Sequence, residues 1–384
     1  MEIYFDNSAT TRVSDAALAL VLRTMQEDYG NPSSRHKKGV QAERYVRTAA
    51  SQIARTLKVQ EKEILFTSGG TESDNLALIG CALANQRSGK HMITTAIEHP
   101  AVYEALLFLE SMGFEITVLP VDSKGHISLS RLSEAIRNDT ILVSVMHVNN
   151  EIGAVEPVEE IAGTIRKRNP NTLFHVDAIQ SYGKYRIYPK RIGIDLLSVS
   201  GHKIHGPKGV GFLYADSRVK LKAISFGGGQ QNGMRSGTLN VPGIAGLGAA
   251  AEECYRKLEE NVRHMAALKD GLIDALTALP GVTVNSGRGM ESAPHILSVS
   301  VDGVRAEVLL HALEERQIYV SSGSACSSNH PGISGTLKGI GLQKEALTST
   351  IRLSFCETNT REEAALFVQA MRELLPELRK FTRH

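Results

Sequence analysis

Three chemically distinct side chains each follow a short apolar run between residues 91 and 203. His99 follows "HMITTAI", Asp177 ends "LFHVD", and Lys203 follows "DLLSVS" within "GHKIHGPKG". A carboxylate at a buried strand end needs a partner, such as a cation, a metal or a protonated ring nitrogen. A lysine near an apolar strand end can have a lowered pKa and act as a nucleophile.

A glycine turn follows another apolar run, "EILFT". Its sequence "SGGTESDN" includes Gly70 and Thr71 at a predicted helix start, where free backbone N–H groups and a hydroxyl can face an anion. Four features together indicate a pyridoxal-phosphate site. They are a phosphate-binding turn, space for a ring beside His99, an Asp that can pair with a pyridinium nitrogen, and a reactive Lys. Nucleotide hydrolysis is disfavoured because no Lys-Ser/Thr pair follows the glycines.

Each of these residues also has an ordinary explanation when it is taken alone. Thr71 would be a helix N-cap, His99 a loop residue, and Lys203 a solvated surface lysine. A metal site built from the chain's histidines is the rival for the whole set: His99, His175, His202 and His205. It is disfavoured because these histidines have neither His-x-x-x-His spacing nor a cysteine pair. The convergence of the four features favours pyridoxal phosphate.

The segment "SSGSACSSNHPG" contains Cys326 among small polar residues. Its composition predicts a loop able to move, with the thiol either reactive or incidentally exposed. Cys81 and Cys254 lie in helical patterns typical of buried thiols, and Cys356 ends a predicted strand without an assigned role. The wide separation of the four cysteines predicts no disulfide framework and favours a reduced, cytoplasmic setting.

The elements that must position these residues alternate between strand and helix patterns. Predicted strands cover 63–67, 91–95, 115–119, 140–146, 173–177, 195–200 and 210–215, with helices such as 71–86 and 157–167 between most of them. This alternation predicts an α/β fold with a mainly parallel, doubly wound sheet, whose ligands gather at the carboxyl ends of the strands. A long helix over 241–278, the strand "HILSVSV", a helix near 305–316, "IRLSF" and a terminal helix predict a second, α+β unit.

The chain of 384 residues is 42% hydrophobic and 22% charged, with a net charge of +2. This composition is ordinary for a globular enzyme, and so small a charge predicts neither strong electrostatic steering nor direct nucleic-acid binding. The sequence has no apolar run of membrane-span length and no signal-peptide pattern, so no membrane partner is expected. We expect domains of 14–250 and of 1–13 with 251–384, the latter carrying the Cys326 loop.

The chain resembles the pyridoxal-phosphate-dependent cysteine desulfurases of the NifS/IscS type, in the class V aminotransferase family. The resemblance covers nearly the whole length through "YFDNSATT", "GNPSS", "TSGGTESDN", "EHPAV", "VMHVNNEIG", "HVDAIQS", "SGHKIHGPKG", "GMRSGTLN", "SSGSAC" and "IRLS". It implies the aspartate-aminotransferase (type I) fold, with a large domain around a seven-stranded mainly parallel sheet and a small α+β domain.

The resemblance also implies a role for each matching residue. Lys203 would carry the cofactor as a Schiff base, Asp177 would pair with the ring nitrogen, and His99 would stack on the ring and help move protons. Further contacts to the cofactor would come from Gly70, Thr71, Ser200 and His202 at the phosphate, Asn150 and Gln180 at the ring oxygen, and Thr238 of a partner subunit. Arg352 and Asn31 would bind the substrate carboxylate.

The implied reaction converts L-cysteine to L-alanine and leaves the sulfur on Cys326 as a persulfide. The implied partners are a second copy of the chain and a sulfur acceptor, either an iron–sulfur scaffold or a thiolation enzyme acting on tRNA or a cofactor. Two alternatives stay open: a selenocysteine lyase or dual-specificity enzyme, and a non-catalytic sulfur carrier. Retention of Lys203, Asp177, His99 and Cys326 together argues against the carrier.

Two features depart from the family pattern. Gln231 and Asn232 stand where close relatives often carry a charged pair, which puts substrate affinity or dimer contacts in doubt. The chain ends at "LPELRKFTRH" without the longer tail that helps relatives to bind an iron–sulfur scaffold. We therefore expect a dedicated acceptor or a tRNA-thiolation partner to be at least as plausible as a scaffold.

Overall fold

A computed structural model describes residues 1–322 and 334–380. Its strands are β1 (Ile3–Tyr4), β2 (Ile64–Thr67), β3 (His91–Thr95), β4 (Glu115–Leu119), β5 (Thr140–Met146), β6 (Leu173–Asp177), β7 (Leu196–Ser200), β8 (Gly211–Ala215), β9 (Val282–Val284), β10 (Ile296–Val301), β11 (Ile318–Tyr319), β12 (Ser321–Ser322) and β13 (Thr350–Ser354). Its helices are α1 (Asp15–Gln26), α2 (Lys37–Leu57), α3 (Gly70–Asn85), α4 (Pro100–Ser111), α5 (Leu129–Ala135), α6 (Val158–Arg168), α7 (Pro189–Ile192), α8 (Val241–Arg256), α9 (Leu258–Thr277), α10 (Ala306–Glu314), α11 (Gly335–Gly339), α12 (Lys344–Ser349) and α13 (Arg361–Arg379).

A seven-stranded sheet has the order β2-β8-β7-β6-β5-β3-β4. β8 runs antiparallel to both neighbours, and the remaining pairs are parallel. The central strands β5 and β7 are buried along their whole length, because helices cover both faces of such a sheet. The predicted α/β fold with a mainly parallel, seven-stranded sheet is confirmed. Three strands of this sheet begin one residue later than predicted, since Glu63 ends a 3-10 turn, Asp195 precedes β7 and Val210 precedes β8.

The glycine turn after β2 brings the start of α3 against the end of β6. Gly69 has a φ of +152°, and a Cβ on Gly70 would collide with the Ile179 side chain, so this close approach requires glycine. Gly69 is the N-cap of α3. The alternative that Thr71 caps the helix is wrong, because Thr71 lies inside the first turn.

The second half of the chain builds a four-stranded antiparallel sheet of order β12-β13-β10-β9 with a separate apolar core. Ile3 and Phe5 belong to that core, and β1 pairs with β11, as expected for the first residues. The helix predicted over 241–278 is two helices that break at Lys257, where φ is −118°. α8 packs with the core of the large sheet and most of α9 with the second core. The exact domain boundary stays a prediction.

Among residues 1–322 and 334–380, no helix combines the length and the apolar character needed to cross a membrane.

Candidate active site

Asp177 ends β6 and is almost fully buried, with a relative exposure of 1%. Its Oδ1 accepts a hydrogen bond from the backbone N–H of Ile179 at 2.9 Å. Its Oδ2 is buried and has no hydrogen-bond partner in the described part of the chain. Burial raises the pKa of Asp177 to about 6, against the opposing effects of the Ile179 bond and the Lys203 cation. The site therefore holds one carboxylate oxygen whose hydrogen-bonding capacity is unused.

Lys203 lies in the 3-10 turn Gly201–Lys203 that directly follows β7. Its Nζ donates to the backbone carbonyls of Ser8 and, at 2.8 Å, Ala9. The Gln180 amide also donates to the Ser8 carbonyl, at 3.0 Å. The N-terminal segment thus forms one wall of the site, and two predicted residues meet on it.

His99 is the N-cap of α4, and its Nδ1 accepts from the backbone N–H of Ala101 at 3.1 Å. Burial, together with the Lys203 cation, lowers the pKa of His99 to about 4. The same cation acts on Asp177. His99, Asp177 and Lys203 therefore occupy one electrostatic neighbourhood at the carboxyl ends of the strands, as the strand-end rule predicts.

Three of the four predicted phosphate-binding residues, Gly70, Thr71 and Ser200, lie in or beside the first turn of α3. Ser200 is buried at the end of β7, and its Oγ lies 3.6 Å from the position that a Cβ on Gly69 would take. Thr71 is exposed in the same turn. His202 contacts Thr10 Oγ1 through Nδ1 at 3.2 Å, and burial lowers its pKa to about 4. The unpaired N–H groups of the helix start and neighbouring hydroxyls suit an anion.

Of the two adjacent asparagines, Asn149 is the turn former, since its Oδ1 accepts from the backbone N–H groups of Glu151 and Ile152. Asn150 is also buried, and its backbone carbonyl accepts from Arg352 Nη1 at 2.9 Å. This leaves the Asn150 side chain as the one available for a ligand.

Arg352 is buried on β13 rather than exposed on a surface strand. Its Nη2 donates to Asp6 Oδ1 at 2.8 Å, and its Nε has no partner among the described residues. The guanidinium is therefore held in place by two hydrogen bonds, with one donor unused.

Three predicted site residues do not join this cluster within the described chain. Asn31 is exposed, and its Oδ1 accepts from the Ser33 N–H in the loop before α2. Thr238 is exposed, as the predicted contact with a partner subunit requires. Cys326 lies outside the described residues.

Both described ends of the chain around Cys326 are anchored at the candidate site. Ser321 pairs with Arg352 across β12 and β13. On the other side, Ser334 Oγ donates to Glu151 Oε2 at 2.5 Å, and Asn149 Nδ2 donates to Thr336 Oγ1 at 3.3 Å. The segment that carries Cys326 therefore starts and ends beside the residues that hold Arg352.

Sequence reasoning missed the part played by residues 6–9. Asp6 binds Arg352, and the carbonyls of Ser8 and Ala9 bind Lys203. The signal was the motif "YFDNSATT", which contains all of them. Backbone carbonyls leave no residue-type signature, so only this motif pointed to the segment.

Gln231, which departs from the family pattern, has a structural role in this chain. Its side-chain amide accepts from the Phe66 N–H at 2.7 Å and donates to the Phe66 carbonyl at 2.8 Å. β2 is an edge strand, so Gln231 covers a sheet edge that otherwise exposes backbone groups. Gln231 and Asn232 both adopt left-handed backbone conformations, with φ of 50° and 58°.

Comparison with known proteins agrees with this architecture. The family model described as "Aminotransferase class-V" matches residues 3–367. The chain belongs to the class-V aminotransferase family. A cysteine desulfurase IscS from Methanosarcina thermophila is 42% identical, covering 99% of this chain and 93% of that protein. A putative cysteine desulfurase IscS 1 from Bacillus subtilis is 45% identical, covering 94% and 95%.

Solved structures similar to this chain have the same fold. A NifS-like protein superposes with a TM-score of 0.93 at 39% identity, covering 98% of this chain and all of that chain. A structure described as SspA in complex with cysteine has a TM-score of 0.79 at 32% identity, covering 94% of this chain and all of the other. The predicted NifS/IscS resemblance is confirmed.

The residues of this chain fit pyridoxal phosphate. The buried, unpartnered Asp177 Oδ2 suits a protonated ring nitrogen, since an ionised carboxylate without a partner is costly to bury. A Cβ on Gly69 would meet only Ser200 Oγ, at 3.6 Å, so the turn leaves space beside that hydroxyl. The amine of Lys203 lies in the same neighbourhood as Asp177.

Proposed function

We propose that this chain is a pyridoxal-phosphate-dependent cysteine desulfurase that converts L-cysteine to L-alanine and takes the sulfur onto Cys326 as a persulfide. The observation that carries the proposal is the cluster of the half-buried Lys203 and His99 with the buried Asp177, whose Oδ2 has no partner among the described residues. The names of the relatives, among them cysteine desulfurases IscS, support the same activity.

Asp177 would hold the cofactor's ring nitrogen and Lys203 its aldehyde carbon. The phosphate would bind at Gly70, Thr71, Ser200 and His202, and the ring oxygen at Asn150 and Gln180. When bound, pyridoxal phosphate supplies an electron sink for the pair left by deprotonation at the substrate's Cα. Asp177 favours that chemistry because its negative charge keeps the ring nitrogen protonated.

Arg352 would bind the carboxylate of L-cysteine. Its planar fork suits a carboxylate, and Nε already lacks a partner. A bidentate grip would use Nε and Nη2, while Nη1 stays on the Asn150 carbonyl and Asp6 holds Nη2. Asp6 therefore positions the fork before substrate arrives. Asn31 would assist if the loop before α2 closes over the substrate.

Lys203 Nζ would accept the Cα proton of cysteine, and His99 would exchange protons beside it. With a pKa near 4, His99 is neutral at physiological pH and is able to accept a proton. The Cys326 thiolate would attack the substrate sulfur, so that one S–S bond forms and the Cβ–S bond breaks. Protonation of the carbon skeleton then yields alanine, and L-cysteine plus the thiol become L-alanine plus the persulfide.

The proposal includes a homodimer, in which the exposed Thr238 reaches the cofactor of the partner subunit. The persulfide would pass to a protein acceptor, either an iron–sulfur scaffold or a thiolation enzyme. The position of Cys326, between two chain segments anchored at the site, supports one thiol serving both the substrate and the acceptor.

The test is to purify the protein with pyridoxal phosphate, record its visible absorption band, and measure alanine release from cysteine. Lys203→Ala should lose the band of the covalently bound cofactor and the activity. Cys326→Ala should retain the band and lose persulfide formation, whereas the buried thiol variant Cys81→Ala should retain both. Absence of any cofactor band in the parent protein contradicts the whole proposal, and wild-type turnover by Cys326→Ala contradicts the nucleophile. Faster turnover of selenocysteine than of cysteine would favour the lyase alternative.

A further inference from the structure

A second cluster of ligand-type side chains lies beside the turn that carries Lys203. Cys356, His205 and Glu357 place one donor atom each within 4.8 Å of one another. They border a cavity of about 750 Å³ between the N-terminal segment, α8 and the chain after β13. None of the three has a part in the proposed reaction, and sequence spacing did not reveal them because His205 is distant from the other two.

His205 is held in an unusual conformation that aims its ring into this cluster. Its φ is +63°, a left-handed conformation that is uncommon for a non-glycine residue. Its N–H donates to Thr11 Oγ1 at 2.8 Å and its carbonyl accepts from the Ser14 N–H at 2.9 Å, so both backbone groups are fixed. Such strain is retained where the surroundings impose it, often at functional sites.

The outer nitrogen of His205 faces the Glu357 carboxylate, and a bound cation would take the place of that direct contact. Nδ1 lies 2.9 Å from the Arg12 carbonyl, which cannot donate, so Nδ1 carries the proton. Nε2 then faces Glu357 Oε2 at 3.3 Å. Metal-binding histidines commonly donate their other N–H to a carbonyl in this way, which fixes the tautomer and the ring orientation.

The charge of the cavity favours a cation. Five of its lining residues carry carboxylates, against the two cations Arg12 and Lys208. A third cation, Lys184, interacts with both Cys356 and Glu357, but its Nζ donates to the Lys203 carbonyl at 2.7 Å.

We propose that Cys356, His205 and Glu357 form a binding site for a thiophilic divalent cation of the Zn²⁺ class, with a fourth position open to the cavity. Thiolate, imidazole and carboxylate are the ligands that Zn²⁺ takes, at about 2.3 Å for sulfur and about 2.0–2.2 Å for nitrogen and oxygen. Donor atoms up to 4.8 Å apart need only a small inward movement to reach such a centre. The bound cation would displace the Cys356 thiol proton.

The proposed site would link three parts of the chain. His205 follows Lys203 by two residues, Cys356 and Glu357 follow the Arg352 strand, and Arg12 belongs to the N-terminal segment. A cation bound there would tie the turn of Lys203 to the strand of Arg352. Zinc occupancy would therefore restrict the relative movement of two predicted active-site residues.

The experiment uses the protein with its cofactor and a Cys326→Ser background, which removes a competing thiol. Titration with Zn²⁺ against a chelating dye should show one equivalent bound. Zinc K-edge X-ray absorption should show one sulfur neighbour at about 2.3 Å and nitrogen or oxygen neighbours at about 2.0–2.2 Å. Cys356→Ser and His205→Gln should each weaken binding at least about tenfold. Cys81→Ser, which alters a buried thiol outside the cavity, should bind as the parent does.

Several results would contradict the proposal that these residues bind Zn²⁺. No binding at tenfold excess of Zn²⁺ would do so, as would binding that survives both ligand variants. An absorption spectrum of the parent without a sulfur neighbour would also overturn it, and this measurement does not depend on whether the variants fold. None of these readouts uses cysteine turnover, so they stand apart from the proposed desulfurase activity.

Discussion

Substituting Asp177 by Asn separates the charge of this residue from its shape. The amide oxygen of Asn can still accept from the Ile179 N–H, which now bonds Asp177 Oδ1 at 2.9 Å. The second atom changes from an unpartnered carboxylate oxygen to an amide nitrogen. We predict that this one change stabilises the cofactor-free protein and disables the reaction.

The stability effect follows from the raised pKa. The pKa of Asp177 rises from 3.8 to about 6 in the folded chain. Each unit is ~1.36 kcal/mol, so ionised Asp177 lowers the free energy of unfolding by up to about 3 kcal/mol. The sign follows from proton binding: the folded state holds this proton more tightly, so stability falls as pH rises from about 4 through about 6. Asp177→Asn should remove that loss of stability. The free energy of unfolding of the variant should exceed that of the parent by the full amount at pH 8, and the difference should vanish below pH 4.

The activity effect has the opposite sign. Removing one partner of a buried ion pair costs about 3–5 kcal/mol, which corresponds to roughly a 10²- to 10⁴-fold loss of turnover. Urea unfolding of cofactor-free protein at pH 4 and pH 8 measures the first effect. Alanine formation from cysteine by protein loaded with pyridoxal phosphate measures the second.

Asp74→Asn is the matched control, since Asp74 is a fully buried carboxyl that interacts electrostatically with Asp177. Burial raises the pKa of Asp74 well above its usual value, so Asn replaces one neutral group with another. Its turnover should stay within a few-fold of the parent. An Asp177→Asn protein that gains no stability at pH 8, or that keeps a tenth of the parent turnover, refutes the reasoning about Asp177.

Three further predictions concern other parts of the site. Because burial lowers the pKa of His99 to about 4, His99 stays neutral above pH 5, and its titration should produce no acid limb in the pH–rate profile between pH 5 and 8. His99→Gln should lower kcat by about 10²-fold or more. An unchanged kcat would exclude His99 from proton transfer. Arg352→Lys loses the planar guanidinium, so steady-state assays should show a KM for cysteine that is raised about tenfold or more. The absorption band of the cofactor should not change. An unchanged KM would show that Arg352 does not bind the substrate. Gln231→Ala loses both hydrogen bonds to Phe66 and should lower the free energy of unfolding in urea by about 1–2 kcal/mol. The control variant Asn232→Ala should change it little. Equal losses in the two variants would contradict the edge-covering role of Gln231.

Most strands of the large sheet were predictable to within one residue, because buried parallel strands appear as uninterrupted apolar runs. The break at Lys257 was not predictable from the same patterns. No proline or glycine marks it, and the helical periodicity continues through it. The helix breaks because α8 packs with the core of the large sheet while most of α9 packs with the second core, a tertiary effect that overrides local propensity.

The part of the site made by side chains at strand ends was also predictable, since topology brings those ends together. His99, Asp177 and Lys203 were found this way. The contacts from Asp6 and the Ser8 carbonyl were not, because they join residues 346 and 195 positions apart and one of them uses backbone atoms. The cluster of Cys356 with His205 was not predicted either, because these two residues are far apart in the sequence.

The electrostatics of three buried carboxyls explain why Asp177 is the one suited to carry charge. Asp74, Glu98 and Asp177 interact with one another, and burial raises the pKa of each. Glu98 reaches about 8 and is therefore protonated at pH 7, while Asp177, favoured by Lys203 and the Ile179 N–H, reaches only about 6. Burial and, in addition, the negative charge at Asp177 thus raise the pKa of the other two carboxyls. A cationic ring nitrogen at Asp177 would strengthen this arrangement, so cofactor binding should stabilise the fold most strongly above pH 6.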